Sequence, residues 1–232
     1  LQNQLSKKQG RKLAMGIKHK AIVTGIAAGI ALTLAASPTL AADQSMGFFV
    51  TSVGMGDGAN LGGLAGADGH CKKLAEAAGS KKRTWRAYLS TWFPDKRGTS
   101  ARDRIGKGPW YNAKGSLIAS DLDQLHISPN LVKRTALDEN GMQVKGRGDK
   151  PNQHDILTGS KADGTAYFPW EKGEHTCGNW TSNDKGSAML GHHDRHGGGN
   201  VSWNTAHGSR GCSQKALAST GGAGLLYCFA AD

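Results

Sequence analysis

The sequence predicts a single exported, disulfide-bonded domain that combines one early helix with short strands and carries its function on long ordered loops. Three observations predict it: a leader-like segment ahead of residue 42, four cysteines spread from Cys71 to Cys228, and 34 glycines with no G-X-Y period. Glycine in that quantity without a repeat points to many tight turns rather than to a fibrous chain.

The leader reads MGIKHKAIVTGIAAGIALTLAASPTLA over residues 15–41. Lys18 and Lys20 make a basic start, Ala21 to Ala36 run without a charge, Ser37-Pro38 break the run, and small residues follow. This is the layout of a secretory signal peptide, with cleavage expected near Ala41. The apolar run is short and rich in Ala and Gly for a membrane span, which needs roughly 20 residues, so no span is expected in the mature form. Residues 1–14 have no pattern and are expected to be an upstream extension outside the fold. The mature domain is then 42–232, secreted to the extracellular space, the cell surface or a periplasm.

Charge looks different once the leader is set aside. The chain has 29 Lys and Arg against 18 Asp and Glu, a net of +11. Lys7, Lys8, Arg11, Lys12, Lys18 and Lys20 fall before residue 42 and no acidic group goes with them, so the mature domain keeps a net of +5 from the same totals. Those charges are scattered except for Lys81-Lys82-Arg83 and Arg86, which argues against a nucleic-acid stripe. No nucleic-acid partner is expected.

Along the mature chain, Phe48 to Val53 is a β-rich strand candidate followed by a Gly-rich turn. Leu64 to Ala78 places Leu64, Cys71, Leu74, Ala75 and Ala78 on one helical stripe and stops at Gly79. In Thr84 to Thr91, Trp85, Ala87 and Leu89 alternate with Arg86, Tyr88 and Ser90, the pattern of a half-buried strand. From Phe93 to Thr176 the periodicity thins, and about 80 such residues inside one domain point to functional loops. GLLYCFA is the final strand.

Export permits disulfides, and four cysteines allow three connectivities. Cys71 lies early and Cys228 in the last strand, while Cys177 and Cys212 lie between them. The expectation is the nested pairing of Cys71 with Cys228 and of Cys177 with Cys212, the inner loop alone stabilising by roughly 4 kcal/mol on the chain-entropy model.

The helix GADGHCKKLAEAAG, the strand TWRAYLST, then ARDRIGKGPWYNAKG, DILTGSKADG and TCGNWTS with the paired last cysteines resemble endostatin, and more closely small bacterial secreted lectin-like proteins. The resemblance spans roughly residues 47 to 230. It implies an α+β fold of C-type-lectin-like, endostatin-like type, a single domain with long ordered loops and two nested disulfides. The calcium-binding tripeptides of C-type lectins are missing. The nearest match, Trp203-Asn204-Thr205, lacks the third carboxylate that a calcium site wants.

Two constellations are candidate sites. Aromatic residues in loops rich in Asn, Asp and Gly could bind sugar faces, with Trp110, Tyr111, Asp155, Trp170, Asn183, Asp184, Trp203 and Asn204 as the ligand-binding set. The stretch GHHDRHGGG offers His192, His193, Asp194 and His196 as metal ligands, which His154-Asp155, His175 and His207 could complete. A zinc-class metal or calcium is the cofactor class considered, and the sequence requires neither. With no G-x-S-x-G elbow and no P-loop, the chain is read as non-enzymatic, a binding or extracellular-matrix module for glycans or another extracellular polymer. A structural surface protein that self-associates is the alternative, followed by a metal-dependent hydrolase built on the HHDRH loop.

Overall fold

The computed structural model describes residues 45–232 apart from Arg83, Lys172, Gly198 and Gly199; the leader at 15–41, the preceding extension and the domain start at 42 lie outside the described residues. The domain is mixed α/β with two disulfides.

A nearly unbroken apolar run makes β8 (Gly222–Ala230) a strand covered on both faces. Leu225, Tyr227 and Phe229 enter one buried cluster, while Leu226, Cys228 and Ala230 enter another, following the two-residue period of a strand. Both β1 (Phe48–Val50) and β2 (Trp85–Ala87) pair antiparallel with its second half, so that Cys228 has Phe49 and Ala87 as its partners. Its first half runs parallel to β5 (Asp155–Leu157), and the sheet continues antiparallel through β6 (Met189–His192) to β7 (His207–Gly208). The order is β1-β8-β5-β6-β7, with β2 also on β8.

One face is covered by α1 (Gly63–Ala77), which buries Ala67, Cys71 and Ala75 at helical spacing. It ends where Gly79 turns to φ +82°, a conformation that costs glycine little. The Ser80 amide then donates to the Ala75 carbonyl at 2.9 Å. Cys71 bridges to Cys228, so the helix is bonded covalently to the middle of the sheet. Cys177 bridges to Cys212. Both pairings are the expected ones.

The segment Thr84 to Thr91 reads as a half-buried strand, but Tyr88 and Ser90 are as inaccessible as Trp85 and Ala87, so the second face is covered as well. The cover comes from the segment of thin periodicity, which supplies β3 (Trp110–Tyr111), β4 (Leu117–Ala119) and α2 (Leu122–Ile127). Trp110, Ile118 and Leu125 pack with Trp203 and the aromatic side of β8. Here Tyr88 lies 4.7 Å from Trp203 and Trp110 lies 5.3 Å from Phe229, ring centre to ring centre.

Three short elements complete the chain: a 3-10 turn at Ala101–Asp103, α3 (Cys177–Trp180) and α4 (Gln214–Ala218). In α3 all four residues have positive φ, which makes it a left-handed turn and not an ordinary helix. Three of them are not glycine, so the turn is intrinsically costly. The cystine at Cys177, the buried Trp180 ring and the Thr176 cap hold it in place.

Candidate functional site

The sheet register brings together residues distant in sequence. Asp155 and His192 face each other across β5 and β6, and His207 enters from β7 opposite Leu190. His154 precedes Asp155 and stacks its ring on that of His192, 4.2 Å between centres and 12° from parallel. Asp155 Oδ1 is the common point. It lies 3.2 Å from His154 Nε2, 3.1 Å from His192 Nε2 and 3.4 Å from His207 Nε2.

These contacts are short, yet neither carboxylate oxygen of Asp155 makes a hydrogen bond of acceptable angle among the described residues, although the side chain is fully buried. A buried carboxylate without hydrogen bonds is costly unless a charge faces it. Burial by itself would raise its pKa; the His192 and His207 imidazoles and the Thr220 hydroxyl outweigh that and bring it to about 2. In return the Asp155 carboxylate raises the pKa of His207, against partial burial.

Around the cluster, the remaining imidazole nitrogens are engaged. His154 Nδ1 meets Asp194 Oδ1 at 3.3 Å, His192 Nδ1 meets the Asn200 side-chain oxygen, and His207 Nδ1 meets the Gly208 carbonyl at 3.1 Å. Carboxylate and carbonyl oxygens only accept, so the Nδ1 atoms donate there; a ring that is neutral then turns an unprotonated Nε2 inward, and a ring protonated on both nitrogens donates inward, as one of His192 and His207 must in their 3.0 Å Nε2–Nε2 contact. Asn200 keeps its orientation by donating Nδ2 to Asp194 Oδ1 at 3.2 Å. Burial opposes ionisation of Asp194, but His154, the Arg147 amide and Asn200 hold its pKa well below the usual carboxylate range. Gly221, at φ +106°, gives the rings room: a Cβ there would come within 3.0 Å of the His154 ring.

The sequence reading of HHDRH therefore needs correction. Only His192 of that stretch points into the cluster. His193 turns to the other side of the chain, where Nε2 donates to the Lys145 carbonyl, 3.1 Å away, and burial lowers its pKa. Asp194 stands behind His154 and not at the centre, and His196 is exposed on the following loop. His175 stacks on Tyr167 elsewhere. The members from outside the stretch, His154, Asp155 and His207, were recognisable only as histidines and an aspartate without a place. Glu174 also lies near Cys177 and Cys212, but those sulfurs are bonded to each other.

The proposed sugar-binding set does not converge either. Trp110 and Trp203 are 1% and 3% exposed, core residues that no sugar ring can reach. Asn204 is buried and donates to the Tyr88 hydroxyl and to the Lys161 and Ala162 carbonyls. Asp155 belongs to the histidine cluster. Tyr111 is half-buried beside Met46, and Asn183 donates to Asp57, with Asp184 exposed next to it. Trp170 alone is a large exposed ring of that set, at 74%.

Trp170 lies parallel to Phe168, 4.6 Å between ring centres and 5° apart. Lys161 and Arg97 approach the Phe168 ring at 4.9 and 5.2 Å. The Trp92 indole, donating to the Phe168 carbonyl at 3.1 Å, pins this loop to the body. The result is a flat aromatic surface with cations beside it.

The chain matches no protein-family model, and no curated protein matches it. Among the described residues no helix is long and apolar enough to cross a membrane.

Proposed function

We propose that the domain is an exported, non-enzymatic binding module of C-type-lectin-like, endostatin-like fold that recognises an extracellular glycan or related polymer through its long-loop face. The observation that carries this reading is Trp170, a large ring left in solvent on a loop otherwise held firmly in place. An exposed aromatic face stacks against the apolar face of a sugar ring, and neighbouring cations suit uronic or sulfated units. The two disulfides accord with an oxidising compartment.

The test is a glycan array with neutral and acidic polymers, run at low salt in the presence of EDTA, with the domain and its Trp170→Ala variant. Binding that survives chelation and drops at least tenfold in the variant is expected. No binding to any glycan or polyanion, or equal binding by the variant, overturns the reading.

A further inference from the structure

We propose that His154, Asp155 and His192 form a binding site for a zinc-class divalent cation, which ties the start of β5 to the end of β6, with His207 of β7 beside it. The site is separate from the Trp170 surface and does not depend on it.

Geometry comes first. One donor atom each from His154, Asp155 and His192 lies within 4.8 Å of the others, and all three residues are buried. Ligand bonds of about 2.0–2.1 Å in a tetrahedron place neighbouring donors about 3.3 Å apart. The separations from Asp155 Oδ1 to the Nε2 atoms of His154 and His192, 3.2 and 3.1 Å, match that spacing. His207 Nε2 lies 3.0 Å from His192 Nε2 but outside this group of three donors, its side chain 39% exposed.

Chemistry points the same way. With the Nδ1 atoms of His154 and His192 committed to oxygen acceptors, these two rings in their neutral forms turn Nε2 lone pairs toward the Asp155 carboxylate. Donor groups arranged so repel one another unless a positive charge sits among them. The Asp194–His154 contact has the form of the carboxylate–histidine pairs that orient metal-bound imidazoles, and Asn200 does the same for His192. Two imidazoles with one carboxylate select a zinc-class ion over calcium, whose shell is built from oxygen. The alternative occupant is a proton shared between Asp155 and an imidazole, which needs no metal.

The experiment uses the purified chain, stripped with a chelator and mixed with Zn²⁺ alone, followed by metal analysis after gel filtration and by calorimetric titration. One zinc per chain is expected. His192→Gln and His154→Gln should weaken zinc binding at least tenfold, and Asp194→Asn by about 10–100-fold as the support of His154. His196→Gln, in the same loop but outside the cluster, should bind as the unaltered chain does. If His192→Gln fails to fold, His154→Gln decides the matter. A chain that emerges without zinc overturns the proposal in favour of the shared proton. So does His196→Gln losing zinc while His154→Gln and Asp194→Asn keep it.

Discussion

Arg104 reaches Asp68 with one guanidinium nitrogen 2.7 Å from both carboxylate oxygens, and both side chains are largely buried. Asp68 also accepts the Ala87 amide at 2.9 Å and lies 3.2 Å from Arg86. One carboxylate thus joins α1, β2 and the 3-10 turn. Removing one partner of a buried pair leaves the other charge without compensation, a loss of roughly 3–5 kcal/mol. Asp68→Ala should lose about that much in urea unfolding, and Asp68→Ala with Arg104→Met should recover part of it. A single-variant loss below about 1 kcal/mol would mean that Arg104 finds water.

The two cystines close loops of very different size, 157 and 35 residues apart in sequence. Replacing either pair by alanine should cost roughly 2–5 kcal/mol, with Cys71 and Cys228 the dearer by about 1 kcal/mol on the chain-entropy model. Paired denaturation curves check the order. The reverse order would show that the left-handed turn at Cys177, and not loop entropy, sets the cost.

Acid sensitivity should appear near neutrality. Burial lowers the pKa of His126 below its ordinary 6.5, and its backbone contact with Leu122 only partly compensates. Its Nδ1 donates to the Leu122 carbonyl at 2.7 Å, so Nε2 accepts from the Tyr88 hydroxyl at 2.8 Å, and protonation spoils that acceptor. The folded state binds this proton less readily than the unfolded chain. Its contribution to stability is therefore present above about pH 6.5 and is lost as pH falls through the lowered folded value. His126→Gln should flatten the decline between pH 7 and 5 in thermal unfolding; an unchanged slope would assign the decline to other groups.

Two tryptophans from similar-looking loops should separate cleanly in stability. Trp203 is buried among Tyr88, Tyr227 and Phe229, and truncation to alanine should cost about 3–5 kcal/mol. Trp170→Ala should change stability by less than about 0.5 kcal/mol, since its ring is mostly in solvent. A large destabilisation by Trp170→Ala would make it a packing residue and remove the support for a polymer-binding surface.

Much of the frame could be read from residues alone. Helical spacing located α1, the apolar run located β8, and the positions of the cysteines gave their pairing. The three-residue strand β5 could not be seen, because Asp155-Ile156-Leu157 is too short to show a period and begins with a buried acid. Its concealment also hid the histidine cluster, since only the pairing of β5 with β6 puts Asp155 opposite His192. The tryptophans misled for a related reason. A Trp between Asn and Gly looks the same in sequence whether its loop lies open or folds back over the sheet, and Trp110 and Trp203 do the latter. Within HHDRH, β6 ends at His192, so the next residue leaves the strand and its ring faces elsewhere.

The position of β8 also sets the order in which this domain can assemble. It is the last of these elements to leave the ribosome, and β1, β2 and β5 are hydrogen-bonded into one sheet only through it. Until Gly222–Ala230 is made, the strands that flank it have no common partner, and Cys71 has no Cys228 to meet. Folding must therefore await the whole domain and proceed through contacts between distant parts of the chain, which is intrinsically slow. A chain that stays open until its last strand is made is in the state that export before folding, as proposed above, requires.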